Sequence, residues 1–209
     1  VTTAIGSTHD NGNQVKIQDD GKIVLIGSFE NPNPEKDLAV VRYNTDGTLD
    51  NSFGNNGVFY NDTLNIHSGL FLNIQSNNKL FIAGSAYGQD YSFIRLEANG
   101  TLDQTYGSNG ISVTDITSIN ITLINDIAVQ LDGKYVISGK SFNGSDYDIF
   151  LIRNNIDGSL DTSFGSNGVV ITDNNGYSES ANNVIIQNDG KIVIGGETNN
   201  GISYDFIIS

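Results

Sequence analysis

Asp46 and Asp50 stand four residues apart in the stretch NTDGTLDNSFGNNG, and Asp157 and Asp161 keep the same offset in NIDGSLDTSFGSNG. A third copy, EANGTLDQTYGSNG, puts Asn99 and Asp103 at those places. Carboxylates and carboxamides gathered in this way are the oxygen donors that a hard cation such as calcium takes. The twelve-residue calcium loop of paired helices needs oxygens at positions 1, 3 and 5, glycine at 6 and a bidentate acid at 12. Here Gly47 follows directly on Asp46, so that spacing fails. Two readings stay open: a different calcium loop using Asp46, Asp50, Asp157 and Asp161, or a turn. Asn or Asp before Gly accepts left-handed backbone, and the second Asp can cap nearby N–H groups. The turn is the reading carried forward, with calcium at these acids as the one cofactor considered.

Other chemistry finds few residues. The only histidines are His9 and His67, there is no cysteine, and no G-x-S-x-G elbow occurs. No catalytic residue is assigned and enzymatic activity is not expected. The alternative is a carbohydrate-active enzyme with paired carboxylates at the axis of the fold, Asp126 among them, since their separation of about 5–9.5 Å is a property of the fold.

A net charge of -14 with only ten Lys plus Arg excludes a nucleic-acid partner, which needs a basic face to meet phosphates. Without cysteine there are no disulfides and no thiolate metal sites. No window of about 18 apolar residues is present, so membrane insertion is not expected. The low charge density, with abundant Asn, Gly, Ser and Thr, leads us to expect a secreted or cell-surface protein. The absence of methionine suggests a processed chain, an excised domain or a fragment.

The elements that would hold these residues follow from a repeat. A Q-x-[DN]-[GN]-K block starts at Gln18, Gln75, Gln130 and Gln187, spaced by 57, 55 and 57 residues. Runs of β type flank each block, for example QVKIQ before and KIVLIGS after. Two such runs joined by Asp-Gly predict a hairpin, with a type I′ turn as the expectation. A third run, such as DLAVVRY or DIFLIRN, is apolar on both faces, as a strand between two layers would be. Next come the acidic stretch and a fourth run, GVFYND, GISVTD or GVVITD. Four strands per repeat, A to D, in four repeats predict an all-β chain forming a β-propeller of four-stranded antiparallel blades. We expect one domain over residues 1–209, with repeats at 12–62, 69–115, 124–173, and 181–209 plus 1–5. Val1–Ile5 aligns with the D strands, Val1 falling against Val58, Val113 and Val170, so closure by pairing of the N- and C-terminal strands is expected. A fragment of a larger propeller fits the same pattern.

The stretches AVQLDGKYVISGKS at 128–141 and DLAVVRYNTDGTLDNSFGNNG at 37–57, with their counterparts, resemble the delta-60 repeat family of β-propellers. The second repeat departs from it with QSNNK and TYG. The resemblance implies a bacterial, often exported or surface-anchored propeller of poorly defined function. It implies no catalytic residues.

Strand parity divides the molecule. In an antiparallel A-B-C-D sheet the A-B and C-D turns share one end, and the B-C and D-A loops share the other. The near-identical segments therefore fall at one end and the divergent loops at the other, where a rigid scaffold displays binding residues. Those loops and their margins carry Phe29, Tyr87, Phe142, Tyr147, Tyr177 and Tyr204 beside amides and acids. Such a surface suits sugar stacking and hydroxyl hydrogen bonding, although aromatics that cover loop bases would read the same way. The function expected is a binding or scaffold module contacting a glycan or a surface protein. A purely structural array is a further alternative, and the sequence leaves the oligomeric state open.

Overall fold

A computed structural model of the chain describes residues 1–6, 9–30, 36–61, 66–86, 91–114, 119–174 and 176–208. The chain divides into two compact units, Val1–Thr114 and Asp115–Ser209. Among the described residues no helix is long and apolar enough to cross a membrane.

The first unit holds two sheets. One is β1 (Asp10–Ile17), β2 (Ile23–Glu30), β3 (Lys36–Tyr43) and β4 (Val58–Tyr60); the other is β5 (Ile66–Ile74), β6 (Leu80–Ala86), β7 (Tyr91–Leu96) and β8 (Ile111–Thr114). Each is antiparallel with its strands in chain order. The β-branched and aromatic residues of β2, β3, β6 and β7 suit a pleated surface packed on both sides. Leu38, Ala39, Val40 and Val41 are all buried. Val24, Ile26, Leu38 and Val40 of the first sheet join Leu72, Leu80, Ile82 and Ile94 of the second in one core.

The second unit repeats the plan. Its first sheet is β9 (Ile121–Val129), β10 (Tyr135–Phe142), β11 (Tyr147–Asn154) and β12 (Val169–Thr172). Its other sheet has three strands, β13 (Ser178–Ile186), β14 (Ile192–Asn199) and β15 (Tyr204–Ile208). Val136, Ile149, Ala181, Val184 and Ile194 form its core.

Three sequence expectations are refined. The hairpin after Gln18 is closed by Gln18 N–H to the Lys22 carbonyl and Gly21 N–H to the Gln18 carbonyl. Only Gly21 has positive φ there, at 83°, so the turn is type I followed by one left-handed residue, not type I′. Asn78, Gly133 and Gly190 occupy the same place in the other repeats. Secondly, the pairing of Val1–Ile5 with the last strand is not among the strand pairings of the described residues: β15 pairs with β14 alone. The N-terminal segment instead follows the first sheet, held by the Asp10 carboxylate, which accepts from Ile5 N and Gly6 N, and by Tyr43 Oη donating to Thr3 Oγ1. Thirdly, β15 is not covered on both faces, since Phe206 is 99% and Ile208 80% exposed.

The glycine that recurs within strand B has a steric cause. Strand A carries a bulge opposite it, between Gly12 and Gln14 in the first repeat and between Ala181 and Asn183 in the fourth. The bulge pushes a carbonyl towards strand B. A Cβ on Gly27 would lie 1.8 Å from the Asn11 carbonyl oxygen, and one on Gly196 2.0 Å from that of Ser180.

Candidate functional site

The recurring acidic stretch is the C-to-D turn, and its acids have partners. Asp50 Oδ2 accepts from Arg42 Nε at 2.7 Å and Lys22 Nζ at 2.8 Å, while Oδ1 caps Ser52 through its N–H and Oγ. Asp161 repeats this with Arg153, Lys134 and Ser163. Asp103 repeats it with Arg95, Lys79 and Thr105. Asp46 and Asp157 cap Thr48 and Ser159. The recurring aromatic lies under the arginine: Arg42 is 4.6 Å from the Phe53 ring centroid, Arg95 4.7 Å from that of Tyr106, and Arg153 4.4 Å from that of Phe164. Because the lysine follows the A-B turn and the aspartate belongs to the C-D turn, each pair confirms that these two turns share one end. In the fourth repeat Lys191 pairs with Asp189 of its own hairpin.

These pairs set an acid limit on stability. Burial alone would raise the Asp50 and Asp103 carboxyls, but donation from Lys22 and Ser52, or from Lys79 and Thr105, with the arginine charge, holds both well below the ordinary carboxylate range. Lys134, followed by Ser163 and Arg153, depresses Asp161 despite some desolvation. A depressed folded value means that the contribution is fully present above the unfolded pKa of about 3.9 and is lost as pH falls below it. The urea midpoint is expected to drop between pH 6 and pH 3, and Asp50→Asn should flatten that dependence. An equally steep profile in the variant would show that this pair is not its source.

The opposite end of the second unit holds a cleft of about 210 Å³ lined by Lys140, Tyr147, Glu179, Glu197, Asn199 and Tyr204, together with Ser178 and Ser180. Tyr147 opens β11 and Tyr204 opens β15, so the two B-C loops deliver both rings to this rim. Lys140 Nζ lies 5.0 Å from the Tyr147 ring centroid, and the Phe142 ring is 5.3 Å from that of Tyr147. Tyr204 is 70% exposed, and Phe142 and Tyr177 also reach solvent without lining the cleft. Phe29 is buried edge-on against Tyr60, the loop-base role. Tyr87 lies outside the described residues.

Beside the cleft, Asp148, Asp173 and Glu179 bring three carboxylates together, each with an oxygen within 4.8 Å of the others. Asp148 sits second in β11, Asp173 directly after β12 and Glu179 second in β13. The Asn143 side chain organises the B-C loop by accepting from Ser145 N and Asp146 N, and donates to Asp148 Oδ2 at 3.0 Å. Asp173 Oδ1 caps Gly176 N at 2.7 Å. Glu179 receives two long contacts, from Thr198 Oγ1 at 3.3 Å and Asn174 N at 3.4 Å. Burial pushes the Asp148 and Glu179 carboxyls up, and the neighbouring Asp173 charge adds to the shift in both. No sequence motif marks this trio, because its members come from three strands or strand ends that meet only through the register of two neighbouring sheets.

Within each unit a strand A side chain joins one sheet to its neighbour. Gln14 Oε1 accepts from Leu72 N, and Asp126 Oδ2 accepts from Val184 N at 2.9 Å. Gln14 and Asp126 each precede the repeated glutamine by four residues, so the bond recurs at equivalent places. Asn125 adds a bond to the Ala181 carbonyl at 2.8 Å.

Within each unit two up-and-down antiparallel sheets are bonded to one another through strand A, the arrangement of β-propeller blades, and in each sheet the divergent loops lie at the end opposite the recurring turns. The chain belongs to the family described as a domain of unknown function (DUF5122) β-propeller, whose model matches residues 18–53, 75–106, 130–164 and 187–209, more than half of the sequence. The matched segments hold the hairpins and C-to-D turns, whereas the D-A loops fall between them. No curated protein matches the chain.

Proposed function

We propose that this propeller is a binding module that contacts a glycan through the loop-end cleft of its second unit, and that it works outside a bacterial cell. The observation that carries the reading is the cleft itself: Tyr147 and Tyr204 line it beside Lys140, Glu179 and Asn199, at the end where the repeats differ. Tyrosine faces stack on the apolar face of a sugar ring, while amides, acids and lysine satisfy hydroxyls. At about 210 Å³ the cleft is smaller than the roughly 300–1,000 Å³ typical of sites that enclose a drug-sized ligand. That volume suits one ring or the end of a chain. The resemblance to delta-60 repeats, with its exported and surface-anchored members, supports the location. A surface protein displaying such a sugar would serve equally as partner.

A glycan array followed by titration of the best ligand tests the proposal. Tyr147→Ala and Tyr204→Ala are each expected to weaken binding by about three- to tenfold, the value of a lost ring contact. Silence across the array, or affinity unchanged in both variants, would rule the reading out.

A further inference from the structure

We propose that Asp148, Asp173 and Glu179 form a binding site for a divalent cation of the calcium type. The three offer oxygens within 4.8 Å of one another. Two of the side chains are withdrawn from water, with Asp148 5% and Glu179 1% exposed, while Asp173 stands open to solvent. An independent feature points to a missing partner. Asp148 Oδ2 is taken by Asn143, but Asp148 Oδ1 is buried and has no hydrogen-bond partner.

The contrast with the turn acids is chemical. Asp50, Asp103 and Asp161 each face an arginine and a lysine. Among the described residues no ion pair joins Asp148, Asp173 or Glu179 to a basic side chain. Three adjoining carboxylates without a counter-charge repel one another, and burial of two of them makes the repulsion worse. A bound cation removes both costs. The donors are oxygens only, which favours a hard ion over zinc or copper. Within that class calcium, which tolerates irregular oxygen geometry where magnesium demands a near-ideal octahedron, is the ion tested first. The exposed Asp173 side leaves room for entry and for coordinating water.

The site does not depend on the glycan proposal, so either can fail alone. The test is calcium titration of the intact chain at pH 7 by calorimetry and thermal melting, with magnesium and a chelator as controls. Binding with a Kd of about 10⁻⁴–10⁻³ M is expected, as in extracellular calcium modules. At tenfold excess over Kd, Tm should rise by about 3–6 °C. Asp173→Asn should abolish the calcium effect yet leave the calcium-free Tm unchanged or higher, since it relieves repulsion at an exposed position. Asp46→Asn, in a C-D turn, should leave the calcium effect intact. Absence of heat and of a Tm shift up to about 10 mM calcium would overturn the site, as would a calcium response that survives Asp173→Asn. A Tm that follows pH alone and ignores calcium would show that a shared proton relieves the cluster, and would overturn it too.

Discussion

Asp103→Ala is expected to lower the unfolding free energy by about 3–5 kcal/mol, the usual cost of removing one partner from a buried ion pair. Asp103 is fully buried and accepts from Arg95 Nε, Lys79 Nζ, and the N–H and Oγ1 of Thr105. Truncation leaves the Arg95 guanidinium, itself 9% exposed, over the buried Tyr106 ring without its counter-charge. Lys79 keeps Glu97 as a second partner, which moderates the loss. Asp103→Asn retains acceptor oxygen while removing charge and should fall between wild type and alanine. Denaturant melts of the three proteins decide the matter. A loss below about 1 kcal/mol for alanine would mean that the network follows the fold without supporting it.

The second large effect is a contrast between equivalent positions. Leu38 and Phe206 both follow the aspartate of strand C, and they pair across to Ser28 and Glu197, which are also equivalent. Leu38 is 1% exposed within the core of the first unit, whereas Phe206 is 99% exposed. Leu38→Ala should therefore cost about 2–5 kcal/mol through lost burial and the cavity left behind. Phe206→Ala should stay within about 0.5 kcal/mol, as an open surface position does. A cost at Phe206 comparable to that at Leu38 would contradict the exposure seen for β15.

Much of this architecture can be read from the chain because recurring residues have local jobs. The glutamine-to-lysine blocks mark hairpins, and parity alone places the A-B and C-D turns together, as the Lys22–Asp50 pair confirms. The turn type was less legible. Asp-Gly serves type I′ and type I with a following left-handed residue alike, because both put glycine at positive φ. The Gln18–Lys22 closure decides between them. Burial of Phe29 was hidden for a similar reason: it looks like a loop aromatic until its packing on Tyr60 is known. Tyr147 and Tyr204 were legible as candidates, but their convergence on one cleft was not, since it depends on two neighbouring sheets. Glu179 lies eight residues before Gln187, where the other repeats place Asp10, His67 and Thr122. That variation concealed it.

The lysine–aspartate–arginine clusters also divide the labour of the molecule. Each of the first three repeats fastens its hairpin to its own C-to-D turn with residues carried inside that repeat. Sequence drift in a B-C or D-A loop leaves that fastening untouched. In each of these sheets the turn end is thereby held to a fixed script, while the loop end is a page that can be rewritten without unfastening the sheet.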